Sequence, residues 1–162
     1  MCKSLCSKFN IGHHSASELI SKLKQVHFSS KRTDNIQGNQ DTLIAAIAEF
    51  LNYDEYFLLD GHFCLIDQNE NVIKIPNSTY KAMSPMAIIL LHDDPTAIHL
   101  RLMERDKEKF NLNLLRCFQE EEVCYSKAIA ADLAIPYLQA NPLTEKEIIF
   151  NFVGNMLEKG EF

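Results

Sequence analysis

Asp60 closes the apolar run Tyr56-Phe57-Leu58-Leu59 and is followed by Gly61 and His62. A carboxylate at the end of a buried strand stands where α/β proteins gather their ligands; an Asx-type turn beside Gly61 is the plain alternative. His62 can contact a substrate or act as a base, or it can serve as a hydrogen-bonded structural residue. Arg101 and Arg105 are spaced i, i+4, which sets both guanidinium groups on one face of a helix. A solvated face laced with Glu104, Asp106 and Lys107 accounts for the same pattern without chemistry. His13-His14 has the residue types of a metal pair, but adjacent side chains diverge and no further Cys or His lies at zinc spacing. Glu120-Glu121-Glu122 reads as a solvated helix face, and Lys31-Arg32 is too small a basic cluster to hold a nucleic acid. No G-x-S-x-G or Cys/His catalytic signature is present.

The elements that position these residues alternate between two periods. Ser15-x-x-Glu18 has capping-box spacing and precedes Leu19, Ile20 and Leu23 on one helical face. Leu43, Ile44, Ile47, Phe50 and Leu51 repeat that spacing, with Asn39 or Asp41 as the cap. Tyr56–Leu59 and Ala87–Leu91 are short apolar runs of the kind buried on both faces of a parallel sheet. The second run leads through His92 and Asp93 to Asp94, a cap, and Pro95, a first helical residue, and that helix extends to about Asp106. Between the runs, Phe63–Ile66 and Val72–Ile75 flank Asn69-Glu70-Asn71 as a hairpin or as two irregular extended pieces. Beyond Asn111 a long helix carries Leu115, Phe118, Tyr125, Ile129 and Leu133. Ile135–Leu138 reads as a strand near a sheet edge because of Pro136. Thr144-x-x-Glu147 then caps a last helix with Ile148, Ile149, Phe152, Val153 and Met156 inward. Strands alternating with helices give an α/β class with a parallel sheet covered on both faces, its ligands at the turns after Leu59, Leu91 and Leu138.

The chain has 162 residues, which suits a single domain, and a net charge of −6, which disfavours a nucleic-acid surface. Its five cysteines form no C-x-x-C pair and read as free thiols. No signal-length or membrane-length apolar stretch occurs, so a cytoplasmic protein without membrane contacts is expected.

Tyr56 to Gly61 (YFLLDG), Ala87 to Pro95 (AIILLHDDP) and Ile98 to Asp106 (IHLRLMERD) are ordered and spaced like blocks of the P-loop nucleotide kinases. They resemble the adenylate-kinase-like group and the small AAA-family ATP-binding proteins. The likeness extends from about Lys3 to Asn141. It implies a P-loop NTPase-like three-layer parallel sheet over residues 1–162, with a lid-like segment at about 101–125. ATP and Mg²⁺ are the implied cofactors, and a nucleotide or other small molecule the phosphoryl acceptor. In the resemblance Lys3 holds the β/γ-phosphates, Ser4 and Asp60 hold Mg²⁺, Arg101 and Arg105 close over the transferring group, and Asn141 lies at the adenine.

Two departures qualify it. The family continues Asp-Gly with an aromatic residue, Pro and Arg, where this sequence has His62-Phe63-Cys64. Lys3-Ser4 also lacks the strand and the glycines of G-x-x-x-x-G-K-[ST] before it. The expected fold therefore misses its first, central strand, as either an N-terminally truncated version of a longer protein or a degenerate relative that no longer binds ATP in the family manner, and self-association through the open sheet is expected. The 162-residue form is expected to lack ATPase and kinase activity. The alternative is a non-catalytic interaction module that retains a degenerate P-loop fold.

Overall fold

The apolar spacings become elements in a computed structural model that describes residues 1–27, 36–52, 55–106 and 111–159. Their order is α1 (Cys2–Phe9), β1 (Gly12–Ser15), α2 (Ala16–His27), α3 (Ile36–Phe50), β2 (Phe57–Asp60), β3 (Cys64–Ile66), β4 (Val72–Lys74), α4 (Asn77–Met83), β5 (Ile88–Leu91), α5 (Pro95–Asp106), α6 (Leu112–Leu133), β6 (Tyr137–Ala140) and α7 (Lys146–Lys159). The described parts of Met1–Gly61, Ile75–Pro85 and Val153–Phe162 form one compact unit, and those of His62–Lys74 and Met86–Phe152 form a second. Lys31-Arg32 and Lys107 lie outside the described residues. No helix among the described residues is long and apolar enough to cross a membrane.

In the first unit, β1 and β2 pair in parallel with Gly12 opposite Phe57 and Ser15 opposite Asp60. Leu19 and Leu23 of α2 meet Leu43, Ala46 and Ile47 of α3 in a buried cluster, with Phe57, Leu59 and Met83 packed around it. Leu19, Leu23, Leu43 and Ile47 are helical-period positions expected of the two helices, Ala46 joins them, and losing one side chain there, such as Ile47, costs about 2–5 kcal/mol. The Lys24 ammonium donates to Asn39 Oδ1 at 2.7 Å across the same helix pair. Neither Asn39 nor Asp41 is the cap: α3 already starts at Ile36, so both fall inside it. Interior packing carries the helix past a polar stretch that local propensity marks as a start.

In the second unit, β5 and β6 pair in parallel, with Ile88 opposite Tyr137 and Leu91 opposite Ala140. Pro136 precedes β6 and offers only its carbonyl, which accepts the Ile88 amide at 2.9 Å. β3 and β4 form the expected hairpin. Its turn is held by Asp67, whose carboxylate accepts from the amides of Asn69 and Asn71. Asp94 caps α5 by accepting from the amides of Thr96 and Ala97, with Pro95 first in the helix. Asn111 does the same for α6. The chain is thus α/β with parallel pairing where expected. Among the described residues the strands pair as three two-stranded sheets, β1–β2, β3–β4 and β5–β6. Their four-residue lengths leave each parallel pair with few ladder bonds.

Three further expectations are corrected. The acidic run of α6 is not a uniform solvated face: Glu120 is exposed, Glu121 meets Lys74 at 3.0 Å, and Glu122 is buried. Glu122 Oε1 accepts the amides of Phe63 at 2.8 Å and Cys64 at 2.6 Å where β3 begins. Burial first, and then the charge of Glu122, pushes the fully buried Cys64 thiol up to about 11. At α7, Thr144 stands two residues before the helix, and its amide donates to Asn141 Oδ1 instead. Ile148 is half exposed rather than inward.

Glu122→Ala is expected to lower stability in urea by about 2–4 kcal/mol, because the part-buried Phe63 amide and the buried Cys64 amide lose this acceptor; Glu122→Gln, which keeps a carbonyl there, is expected to lose about 1 kcal/mol. At the end of α6, Ala134 holds φ 54° while its amide closes the helix onto Ala130 and Ala131. Relief of the left-handed strain in Ala134→Gly is expected to raise stability by about 1 kcal/mol in the same assay.

Candidate functional site

The first unit assembles its polar residues through strand register. His13 lies opposite Leu58, and Asp60 two residues on, so the two side chains are diagonal neighbours on one face of the β1–β2 pair. His13 Nε2 stands 3.8 Å from Asp60 Oδ2. α1 packs against both strands and brings Cys2, at its first turn, to the same place. The donor atoms of Cys2, His13 and Asp60 lie within 4.8 Å of one another, with Cys2 half-buried and the other two exposed. Burial raises the Cys2 thiol above its ordinary pKa, and the negative charge of Asp60 raises it further. Gly61 follows because the chain turns there against the start of α2: a Cβ would stand 3.3 Å from that of Ala16.

Lys3 and Ser4 are exposed on the first turn of α1, directly after Cys2. Lys3, Ser4 and Asp60 therefore belong to one unit, with Asp60 beside the helix start that carries the other two. The hydroxyl and carboxylate oxygens are hard donors, and the ammonium is a point charge for an anion. These residue types fit a nucleotide phosphate and its Mg²⁺ at a helix N-terminus.

The second unit holds Arg101, Arg105 and Asn141. Arg101 Nη2 meets Asp93 Oδ2 at 2.7 Å, Asn141 Nδ2 donates to Asp93 Oδ1 at 2.9 Å, and the Asp94 amide donates to the same oxygen. Those bonds, with that of Arg101 foremost, hold the Asp93 carboxyl below its usual range. Asn141 also accepts the Leu143 amide at 2.8 Å, while its own amide donates to Glu145 Oε2 at 2.7 Å. Its side chain thus organises the turn that runs through Pro142, Leu143 and Thr144. Arg105, one turn beyond Arg101, is exposed in the last turn of α5. A cleft of about 480 Å³ opens past the end of β5, between His92 and Asp93 on one side and Arg116, Gln119 and Glu120 of α6 on the other. His62 has its Nδ1 3.7 Å from Glu122 Oε1, and its ring rests edge-on against Phe118.

Residues 1–112 match the family model of the AAA domain, which covers more than half of the chain. The chain belongs to the AAA domain family. It is accordingly a P-loop NTPase-like protein of the nucleotide-kinase and AAA kind, as the YFLLDG and AIILLHDDP blocks led one to expect. No curated protein matches the chain. The matched span carries the Lys3-Ser4 start, Asp60 and both arginines, and it ends before α6 is complete.

Sequence reasoning missed Asp93 as the anchor of Arg101 and Cys2 as a neighbour of Asp60. Asp93 follows a strand in the His92-Asp93-Asp94-Pro95 turn, which is a detectable signal. Cys2 and Asp60 stand 58 positions apart and carry none. Asp93→Asn is expected to destabilise the chain by about 1 kcal/mol at pH 7, a modest figure because Arg101 is half exposed. A depressed carboxyl contributes above its unfolded pKa of about 3.9, so the deficit relative to the parent is expected to shrink as pH falls from about 4 toward 2 in pH-dependent urea unfolding.

Proposed function

We propose that this AAA domain protein binds ATP with Mg²⁺ and is built to move the γ-phosphoryl group to a nucleotide or other small acceptor. The observation that carries the reading is the placement of Asp60, at the carboxyl end of β2, beside the α1 start that bears Lys3 and Ser4. Lys3 would neutralise the phosphates, while Ser4 and Asp60 would hold Mg²⁺, which when bound supplies charge neutralisation on the transferred oxygens. Arg101 and Arg105 would face the transferring group from a lid-like segment at about 101–125, and Asn141 would lie at the base. Catalysis in such a site consists of positioning and electrostatics, with little covalent work by side chains. The same reading includes a single adenylate-kinase-like domain with a three-layer parallel sheet, a cytoplasmic setting, and no nucleic-acid or membrane partner.

A second reading, a non-catalytic interaction module, has its own support. Arg101 is engaged by Asp93 at 2.7 Å, and the Phe63 and Cys64 amides after Asp60-Gly61-His62 are tied to Glu122 rather than leading into an arginine. Open strand edges would then receive a partner chain or a second copy.

Mg-ATP at 100 times its dissociation constant is expected to stabilise the protein by about 2.7 kcal/mol, read as a rise in melting temperature. Lys3→Ala is expected to abolish that rise without lowering the melting temperature of the free protein. No rise with the parent chain overturns the nucleotide reading in favour of the interaction module.

A further inference from the structure

We propose that Cys2, His13 and Asp60 form a binding site for a borderline-soft divalent transition metal of the Zn²⁺ class. The cluster draws one thiol, one imidazole and one carboxylate from three elements, α1, β1 and β2, with all donor atoms within 4.8 Å of one another. Tetrahedral zinc with bonds of about 2.0–2.3 Å spaces its donors about 3.3–3.8 Å apart. His13 Nε2 and Asp60 Oδ2 already stand at 3.8 Å. The remaining adjustment, at most about 1–1.5 Å on this geometry, lies within rotamer reach of the half-buried Cys2 and the exposed His13 and Asp60 side chains.

The parallel register fixes the His13–Asp60 pair in advance of any ion, and α1 supplies the third ligand by packing on both strands. Three protein ligands leave a fourth position open to water, and the exposure of His13 and Asp60 gives an entry path. Sulfur and nitrogen donors disfavour Mg²⁺ and Ca²⁺, which take oxygen sets. The site shares Asp60 with the Mg²⁺ position assigned to Ser4 and Asp60 but differs from it in donor chemistry, so the two ions would compete for that carboxylate, and the proposal does not rest on nucleotide binding. Binding replaces the Cys2 S–H bond by a thiolate–metal bond and releases that proton to solvent.

The test is titration of the full chain with Co²⁺ in the absence of nucleotide. One equivalent is expected to give a thiolate charge-transfer band in the near ultraviolet and the visible bands of a four-coordinate ion, both removed by Zn²⁺. Cys2→Ser is expected to lose the thiolate band, and His13→Ala to weaken binding at least about tenfold. Cys6→Ser and Cys124→Ser are expected to keep both. Independently of any substitution, Zn²⁺ is expected to slow alkylation of Cys2 at least about tenfold, mapped by peptide mass spectrometry, while the exposed Cys117 and Cys124 react as before. A thiolate band that survives Cys2→Ser, or an alkylation rate at Cys2 indifferent to Zn²⁺, overturns the proposal and leaves the nucleotide reading untouched.

Discussion

The parallel pairing of Gly12–Ser15 with Phe57–Asp60 is the constraint on which the first unit's chemistry depends. Side chains on a strand alternate with a period of two, so a slip of one residue would send His13 and Asp60 to opposite faces. The register is held from behind by apolar packing: Phe57 and Leu59 sit against the Leu19, Leu43 and Ile47 cluster. Burial of that face decides which way Asp60 points. The core of two helices therefore fixes the geometry of a polar site to which none of their own side chains is assigned a part.

The second unit is organised by two carboxylates instead. Glu122 receives the amides that open β3, and Asp93 collects Arg101, Asn141 and the Asp94 amide. Glu122 thereby satisfies the buried Cys64 amide, which would be costly to leave without an acceptor, while Asp93 ties together donors from α5, its own turn and the residue after β6. Arg101 is bound to Asp93 of its own unit, and Arg105 lies a turn beyond at the end of α5.

Much of the chain was legible from local pattern. The helices at Ala16, Pro95 and Leu112, the strands ending at Asp60 and Leu91, and the β3–β4 hairpin all follow from caps, apolar period and turn residues within a few positions. The helix at Asn77 carries no capping side-chain bond, and the strand at Gly12 carries two histidines rather than branched residues. Neither therefore announces itself. Glu122 was misread because three consecutive glutamates look alike in sequence, while a helix turns successive residues by about 100° and buries only one of them.

The sequence by itself determined the α/β class, the family, the thiol inventory and the strand-end carboxylate, because each depends on residue order over a short span. Tertiary structure alone decided that Cys2 and His13 stand beside Asp60, that Asp93 holds Arg101, and that the parallel strands pair two by two. Those contacts join residues far apart in the chain. Their formation is governed by which apolar faces pack together, and no local spacing encodes that choice.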